Sequence, residues 1–343
     1  MTKQLDEVNI IRPAIIVMLV VMHSFTIYAG GWHLPVGIEY INAYAWIQRI
    51  AYSFMLEMFV FISGYIFAYQ IYYLKRPFSF KGLIHIKFNR LIIPSISFSL
   101  LYALFFYKKE FHVGEFLYDI VCGLGHLWFL PMLFWCFVFT FLFFNWALTD
   151  LLKLCILLVI SVFSFIPLPL GMAKSLYFLF FFYLAFYFWK HRLYVEKHFT
   201  NLKFVILVFF IFILMFVPLV LLREYLLAEF SIAHNSFDKI FWMSLANLCR
   251  IIYALIGVSW GYITAIYLSH AIKIPLWLSE VNKLCMGVYI FHQFFLQIIY
   301  YYTSIPTLLG SYWLPWFGVC IALTFSLLLT FLFRKIKLGR RLL

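Results

Sequence analysis

The chain has 343 residues and a formal net charge of +13; 66% of the residues are hydrophobic, 23% are aromatic and only 11% are charged. A soluble domain of this length cannot hide so much apolar surface from water, so the composition excludes a soluble enzyme. The positive charge could indicate nucleic-acid binding, but the basic residues lie in short segments between apolar stretches, where they set membrane topology. We therefore expect the lipid bilayer as a partner and no nucleic acid.

Apolar stretches of about 18 or more residues recur along the sequence, and each is long enough for a helix to cross a hydrocarbon core of about 30 Å. Hydropathy predicts an all-α, polytopic membrane helix bundle of about ten transmembrane helices. We expect a single membrane domain over residues 1–343, with no separate soluble domain. The predicted spans are 10–29, 46–73, 91–107, 127–146, 151–167, 172–190, 203–222, 241–269, 284–304 and 313–333.

The basic residues are distributed unevenly between the two sides of these spans. If the N-terminus is cytoplasmic, about 19 of the 26 Lys and Arg residues, Lys3 among them, fall in inner segments. Six fall on the outer side, including Lys108 and Lys109. Cytoplasmic loops carry an excess of Lys and Arg, so this asymmetry predicts that both termini are cytoplasmic.

The six cysteines lie in or beside apolar stretches, without CxxC spacing and without paired histidines at metal-ligand intervals. We expect neither a disulfide nor a metal site.

The first predicted span contains two ionisable residues, Arg12 and His23. Such a residue at mid-helix costs at least about 2.5 kcal/mol on insertion, so it requires a partner or a function. Eleven residues are close to three helical turns and about 16 Å of rise, so the two side chains share one face. A mid-membrane imidazole is a candidate general base. The structural alternative is a snorkelling Arg12 and a hydrogen-bonded packing role for His23.

Glu57 interrupts the second span, and Gly64 follows seven residues later on the same face, where a small residue permits close helix approach. A buried carboxylate beside His23 could orient the imidazole and raise its basicity. The structural alternative is an ion pair between Glu57 and either Arg49 or Arg250.

Arg250 and His292 interrupt the eighth and ninth spans, and Tyr289 lies one turn before His292. A guanidinium at this depth needs a carboxylate, a phosphate or a developing oxyanion. By their depths, these two residues fall in one central layer with His23 and Glu57, as an enclosed site would require.

A basic cluster lies between the second and third spans. Such a cluster suits a polyphosphate donor and equally suits anionic lipid headgroups. Its members are Lys75, Arg76, Lys81, Lys87 and Arg90.

Several stretches together resemble acyltransferase family 3 of bacterial membrane proteins, which acylates sugars of surface polysaccharides and related acceptors. The resembling elements occur in the family's order and cover most of the chain. They are the Arg-x10-His pair of Arg12 and His23, the FVFISGY stretch Phe59–Tyr65, the Arg-Ile-x-Pro-like stretch Arg90–Pro94, the His-x-Trp-Phe-Leu-like stretch with His126, Trp128 and Pro131, and the late Tyr-x-x-His of Tyr289 and His292.

The resemblance implies a cytoplasmic acetyl-CoA donor as co-substrate. It also implies transfer of the acetyl group to a hydroxyl of a cell-surface polysaccharide, a lipopolysaccharide or a lipid-linked sugar, in the bacterial cytoplasmic (inner) membrane. By the same analogy His23 is the base, Arg12 and Arg90 are donor-site candidates, and His126 and Trp128 line the site or the acceptor path.

The residues themselves add further candidates. Glu57 is expected beside His23, Lys87 belongs with the donor-binding basic cluster, and Arg250 is an oxyanion candidate. Tyr289 and His292 are substrate-binding candidates. The alternative function is a flippase or transporter for a lipid-linked glycan, in which the same intramembrane charges bind the substrate or protons without acyl transfer.

Overall fold

The computed structural model describes residues 5–107, 112–144 and 146–343, and all regular structure in these ranges is helical. Lys3, Lys108 and Lys109, on which the predicted orientation partly depends, lie outside the described residues. The helices are α1 Asp6–Ser24, α2 Asn42–Tyr52, α3 Met55–Tyr72, α4 Phe80–Lys87, α5 Ile93–Phe106, α6 Val113–Cys122, α7 Phe129–Phe144, α8 Asp150–Val162, α9 Met172–Lys190, α10 Arg192–Phe199, α11 Leu202–Ile232, α12 Ser236–Ala271, α13 Leu276–Tyr301, α14 Ile305–Phe333 and α15 Lys337–Leu342.

Within the described ranges, nine helical segments are long and apolar enough to cross a membrane, which confirms the all-helical, polytopic prediction. Each of them matches a predicted span. The remaining predicted span, 151–167, is different, because α8 has only 13 residues and ends at Val162, before Pro167 and Pro169. A helix of that length rises about 20 Å and does not cross the hydrocarbon core alone.

The chain folds into two compact units. The first consists of Met1–Met55, Leu101–Tyr107 and Lys273–Leu343, and the second of Leu56–Leu100 and Lys108–Ile272. Each unit contains a buried polar cluster: His23 with His292 in the first, and Glu57 with Arg250 in the second. The expectation of one membrane domain stays a prediction.

In the first unit, α1 packs against α13 and α14. Near the start of α1, Asn282 of α13 donates a hydrogen bond to Asn9 (2.7 Å), and at its end the Ser24 and Tyr300 hydroxyls are 2.6 Å apart. The two helices therefore run parallel. The Ser24 hydroxyl also donates to the carbonyl of Pro315 (2.6 Å), in the first half of α14. A Cβ on Gly318 would meet both hydroxyls below 3.0 Å, so a glycine permits this close crossing.

In the second unit, α7 and α9 lie side by side and run in the same direction. Near their starts, the indole N–H of Trp135 donates to the carbonyl of Leu170 (2.8 Å), two residues before α9. Near their ends, the rings of Phe144 and Phe186 are 6.1 Å apart.

The short helix α8 begins beside the ends of α7 and α9. Lys153 donates to the carbonyl of Phe144 (3.0 Å), and Asp150 pairs with Lys190 (2.5 Å). From there the chain returns through α8 and residues 163–171 to the start of α9, beside Trp135.

The FVFISGY stretch forms a close helix contact in the second unit. A Cβ on Gly64 of α3 would lie 2.2 Å from the carbonyl oxygen of Phe182 in α9, so any side chain at this position would push the helices apart. The prediction that Gly64 permits close helix approach is confirmed.

Candidate active site

His23 and His292 form a hydrogen-bonded pair in the first unit. Nε2 of His292 lies 3.1 Å from Nδ1 of His23, and the ring centroids are 4.8 Å apart. His292 is fully buried and His23 is half-buried. Sequence depth placed both near the centre, but it did not identify them as partners, since they are 269 positions apart.

The backbone around the pair determines which nitrogens carry protons. Nδ1 of His292 lies 3.0 Å from the Val288 carbonyl, which can only accept a hydrogen bond, so this nitrogen holds the proton of the neutral ring. Nε2 of His292 is then an acceptor for the Nδ1–H of His23. The same Nδ1 of His23 also lies 3.2 Å from the Leu19 carbonyl. Consequently, the lone pair of neutral His23 is on Nε2, the nitrogen suited to remove a proton.

Tyr289 lies one turn before His292, with its ring centroid 6.5 Å from that of the imidazole. The Tyr289 side chain is buried, so it forms part of the wall around the pair.

Arg12 lies on the same helix as His23, near the opposite end. Glu7 and Asn9, which precede it on α1, are buried. Asn282 binds Asn9 at the same level. A single rigid helix therefore joins a buried polar cluster at one end to the histidine pair at the other.

A pocket of about 480 Å³ lies just beyond the end of α1. It is lined by residues 27, 28, 30–34 and 40, which follow His23 directly in the chain. The ring of Trp32 lies 6.0 Å from the ring of His23 and 6.4 Å from that of Tyr300. This pocket was not predicted from the sequence. The signal that could have revealed it is the run YAGGWHLP, which places aromatic side chains and two glycines immediately after the candidate base.

Tyr28 closes one side of this pocket. Its hydroxyl donates to the Ser311 carbonyl (2.5 Å), which has no helical partner because Pro315, four residues on, lacks an N–H. Burial, with Tyr44 nearby, raises the pKa of Tyr28, so the hydroxyl stays protonated and continues to donate.

Glu57 and Arg250 form an ion pair in the second unit. Nη2 and Nε of Arg250 lie 2.9 and 3.2 Å from Oε1 of Glu57, and the Tyr177 hydroxyl donates to the same oxygen (3.0 Å). The Glu57 side chain is completely buried. The ion pair with Arg250, which the sequence left open as the alternative role of Glu57, is the interaction that the structure contains. His23 forms a hydrogen bond with His292, and the expected role of Glu57 beside His23 stays a prediction.

Lys87 and Arg90 lie on either side of the start of a π-helical turn, Phe88–Ile92, in the second unit. The Lys87 ammonium is 3.6 Å from the ring centroid of Phe137, whereas Arg90 is exposed. Except for the half-buried Lys87, the whole basic cluster is exposed and accessible to a charged ligand.

His126 and Trp128 belong to a 3-10 turn, Gly125–Trp128, just before α7. His126 is buried, and Lys174 lies 4.3 Å from the centroid of the Trp128 ring. Gly123, with φ of 87°, sets the sharp bend before the turn. The described residues contain no group of three or more His, Cys, Asp or Glu side chains that could hold a metal ion.

The described residues form an all-helical membrane bundle with a hydrogen-bonded histidine pair, one ring of which is fully buried. The chain matches the family model of acyltransferase family 3, described as an acyltransferase domain, over residues 5–335, and therefore belongs to that family. It is an integral membrane acyltransferase. No curated protein and no solved structure matches the chain.

Proposed function

We propose that this acyltransferase moves an acetyl group from cytoplasmic acetyl-CoA to a hydroxyl of a cell-surface polysaccharide, a lipopolysaccharide or a lipid-linked sugar, in the bacterial inner membrane. The observation that supports this proposal best is the hydrogen bond between His23 and His292, which leaves a basic nitrogen on His23.

In this reaction, Nε2 of His23 removes the proton of the acceptor hydroxyl as its oxygen attacks the thioester carbon. A carbon–oxygen bond forms and the carbonyl becomes a tetrahedral oxyanion. When the oxyanion collapses, the carbon–sulfur bond breaks and CoA leaves as a thiolate. The proton on His23 passes to this sulfur, so His23 ends the cycle neutral and no other reactant is consumed.

His292 acts as a positioning residue in this scheme. When His23 becomes an imidazolium, its Nδ1–H donates to Nε2 of His292, and this hydrogen bond strengthens because the donor is charged. Stabilisation that grows in the transition state lowers the barrier. The Val288 carbonyl keeps His292 in the accepting tautomer.

The donor is assigned to the side of the membrane where Arg12 lies, which positive charge predicts to be cytoplasmic. Guanidinium and ammonium groups suit the phosphates of CoA. The first unit supplies Arg12, and the second supplies Lys87 and Arg90. The Nε and Nη2 groups of Arg250 bind Glu57, so we assign this pair to the stability of the second unit rather than to the oxyanion.

The test measures acetyl-CoA turnover by detergent-purified wild type, His23→Ala and a matched control, His270→Ala, whose side chain is exposed at the end of α12. Mass spectrometry of the host's surface glycan follows acetyl groups in cells that express each variant. Loss of a general base lowers kcat by about 10²- to 10⁴-fold. We expect this loss for His23→Ala and wild-type rates for His270→Ala.

A folded His23→Ala protein that transfers acetyl groups at the wild-type rate would overturn the proposal. The flippase alternative has a different signature. In that case the glycan is not acetylated, it fails to reach the surface when the protein is absent, and acetyl-CoA is not consumed.

A further inference from the structure

We propose that the pocket beyond the end of α1 binds a pyranose ring of the acceptor, stacked on Trp32, and so presents a sugar hydroxyl to His23. This inference rests on the proposed function and names the acceptor subsite, its central residue and the chemical class it selects.

The pocket has the size and position of a small-ligand site. Its volume of about 480 Å³ falls within the range of about 300–1,000 Å³ typical of such sites. Trp32 lines the pocket and its ring is also 6.0 Å from the ring of His23. A ligand that lies on the indole is therefore adjacent to the imidazole.

The lining selects an uncharged ligand with both apolar and polar faces. None of the lining residues is Asp, Glu, Lys or Arg, so the pocket lacks the fixed charge that a phosphate or a carboxylate requires. Trp32 offers a flat apolar face, and the side chains of His33 and Tyr40 carry polar groups. A pyranose has a matching C–H face and a rim of hydroxyls, whereas the polyphosphate of CoA matches neither.

The backbone of the pocket is also suited to close approach by a ligand. Gly30 has φ of 76°, a conformation that favours glycine, and a Cβ placed there would meet no atom within 4 Å. Gly30 and Gly31 are both exposed, so no side chain at these positions separates a ligand from the backbone. The Gly31 N–H donates to the Thr26 carbonyl (3.2 Å), which fixes the turn.

The pocket is preformed, because hydrogen bonds from α13 and α14 hold its loop. The Tyr301 hydroxyl donates to the His33 carbonyl (2.7 Å), and the Glu39 N–H donates to the Ser311 hydroxyl (2.7 Å). Tyr28 donates to the Ser311 carbonyl. A loop held in this way loses little entropy when a ligand binds.

The experiment is saturation-transfer difference NMR with methyl glycosides of glucose, galactose, mannose and rhamnose, and with glycerol as a polyol that has no ring face. The protein is the full chain in a detergent without a sugar headgroup, because a glycosidic detergent would compete. Wild type is compared with Trp32→Leu, Trp32→Phe, His23→Ala and the control Trp313→Leu, whose indole is 70% exposed and does not line the pocket.

We expect at least one glycoside to receive saturation at its ring C–H protons and glycerol to receive none. Trp32→Leu should weaken this binding about 10-fold, while Trp32→Phe and Trp313→Leu retain it. His23→Ala removes one hydrogen bond to a sugar hydroxyl and should weaken binding less than Trp32→Leu does. The proposal is overturned if no glycoside binds, if glycerol competes equally, or if Trp32→Leu binds as wild type does. Since the readout does not require catalysis, a failure of His23→Ala to lose acetyl transfer would refute the proposed function without changing the binding result.

Discussion

Replacing His292 with leucine tests whether this residue positions the base. Leucine removes the hydrogen-bond acceptor of the His23 Nδ1–H and fills the buried position with an apolar side chain. The Leu19 carbonyl, 3.2 Å from Nδ1 of His23, remains as an acceptor. The correct tautomer of His23 therefore survives. What is lost is the additional stabilisation of the imidazolium.

The size of this effect follows from hydrogen-bond energies. A neutral hydrogen bond contributes about 0.5–1.5 kcal/mol net, and one to a charged group about 1.5–3 kcal/mol. The His23–His292 bond passes from the first class to the second as the proton is transferred. The difference of about 0.5–2 kcal/mol corresponds to a fall in kcat of about 2- to 30-fold.

The assay is steady-state acetyl transfer by His292→Leu, His292→Gln and His23→Ala, with acetyl-CoA and acceptor varied in turn. We expect His292→Leu to lower kcat within that range with little change in either KM, and His292→Gln, whose side-chain oxygen can accept the hydrogen bond, to recover part of the rate. A His292→Leu enzyme as impaired as His23→Ala would show that His292 touches the reacting atoms. An unchanged kcat would show that the pair has only a packing role.

Two further predictions concern stability in the second unit, measured by unfolding in SDS. Arg250→Met should destabilise the protein by about 3–5 kcal/mol, because it leaves the buried Glu57 carboxylate without its ion partner. The double variant Arg250→Met with Glu57→Gln should recover most of that loss. Equal stability of the single and double variants would refute the ion-pair role. Gly64→Ala should destabilise the protein by about 1–3 kcal/mol, since its Cβ would overlap the Phe182 carbonyl. The control is Gly114→Ala, which should not destabilise the protein because a Cβ there would meet nothing within 4 Å. Equal effects of the two glycine variants would contradict this reasoning.

The sequence alone was sufficient for the helical membrane architecture, because apolar length identifies a spanning helix directly. Helix α8 was the exception. Its apolar run extends past residue 162, but Pro167 and Pro169 follow, and hydropathy does not register where a helix ends.

The candidate site was predictable only where its chemistry lies on a single helix. Arg12 and His23 are linked by helical periodicity, so the sequence placed them on one face. Their partners come from distant helices, and no local pattern could choose His292 over Glu57 as the neighbour of His23. The pocket around Trp32 was missed because its lining comes from a loop, and hydropathy assigns no function to a loop.

The short helix α8 lets two consecutive spanning helices of the second unit point the same way. Because α7 and α9 run in the same direction, the chain between them has to return across the depth of α7. Helix α8, which rises only about 20 Å, and residues 163–171 make this return. A count of long apolar helices omits such a passage and would therefore assign opposite directions to α7 and α9.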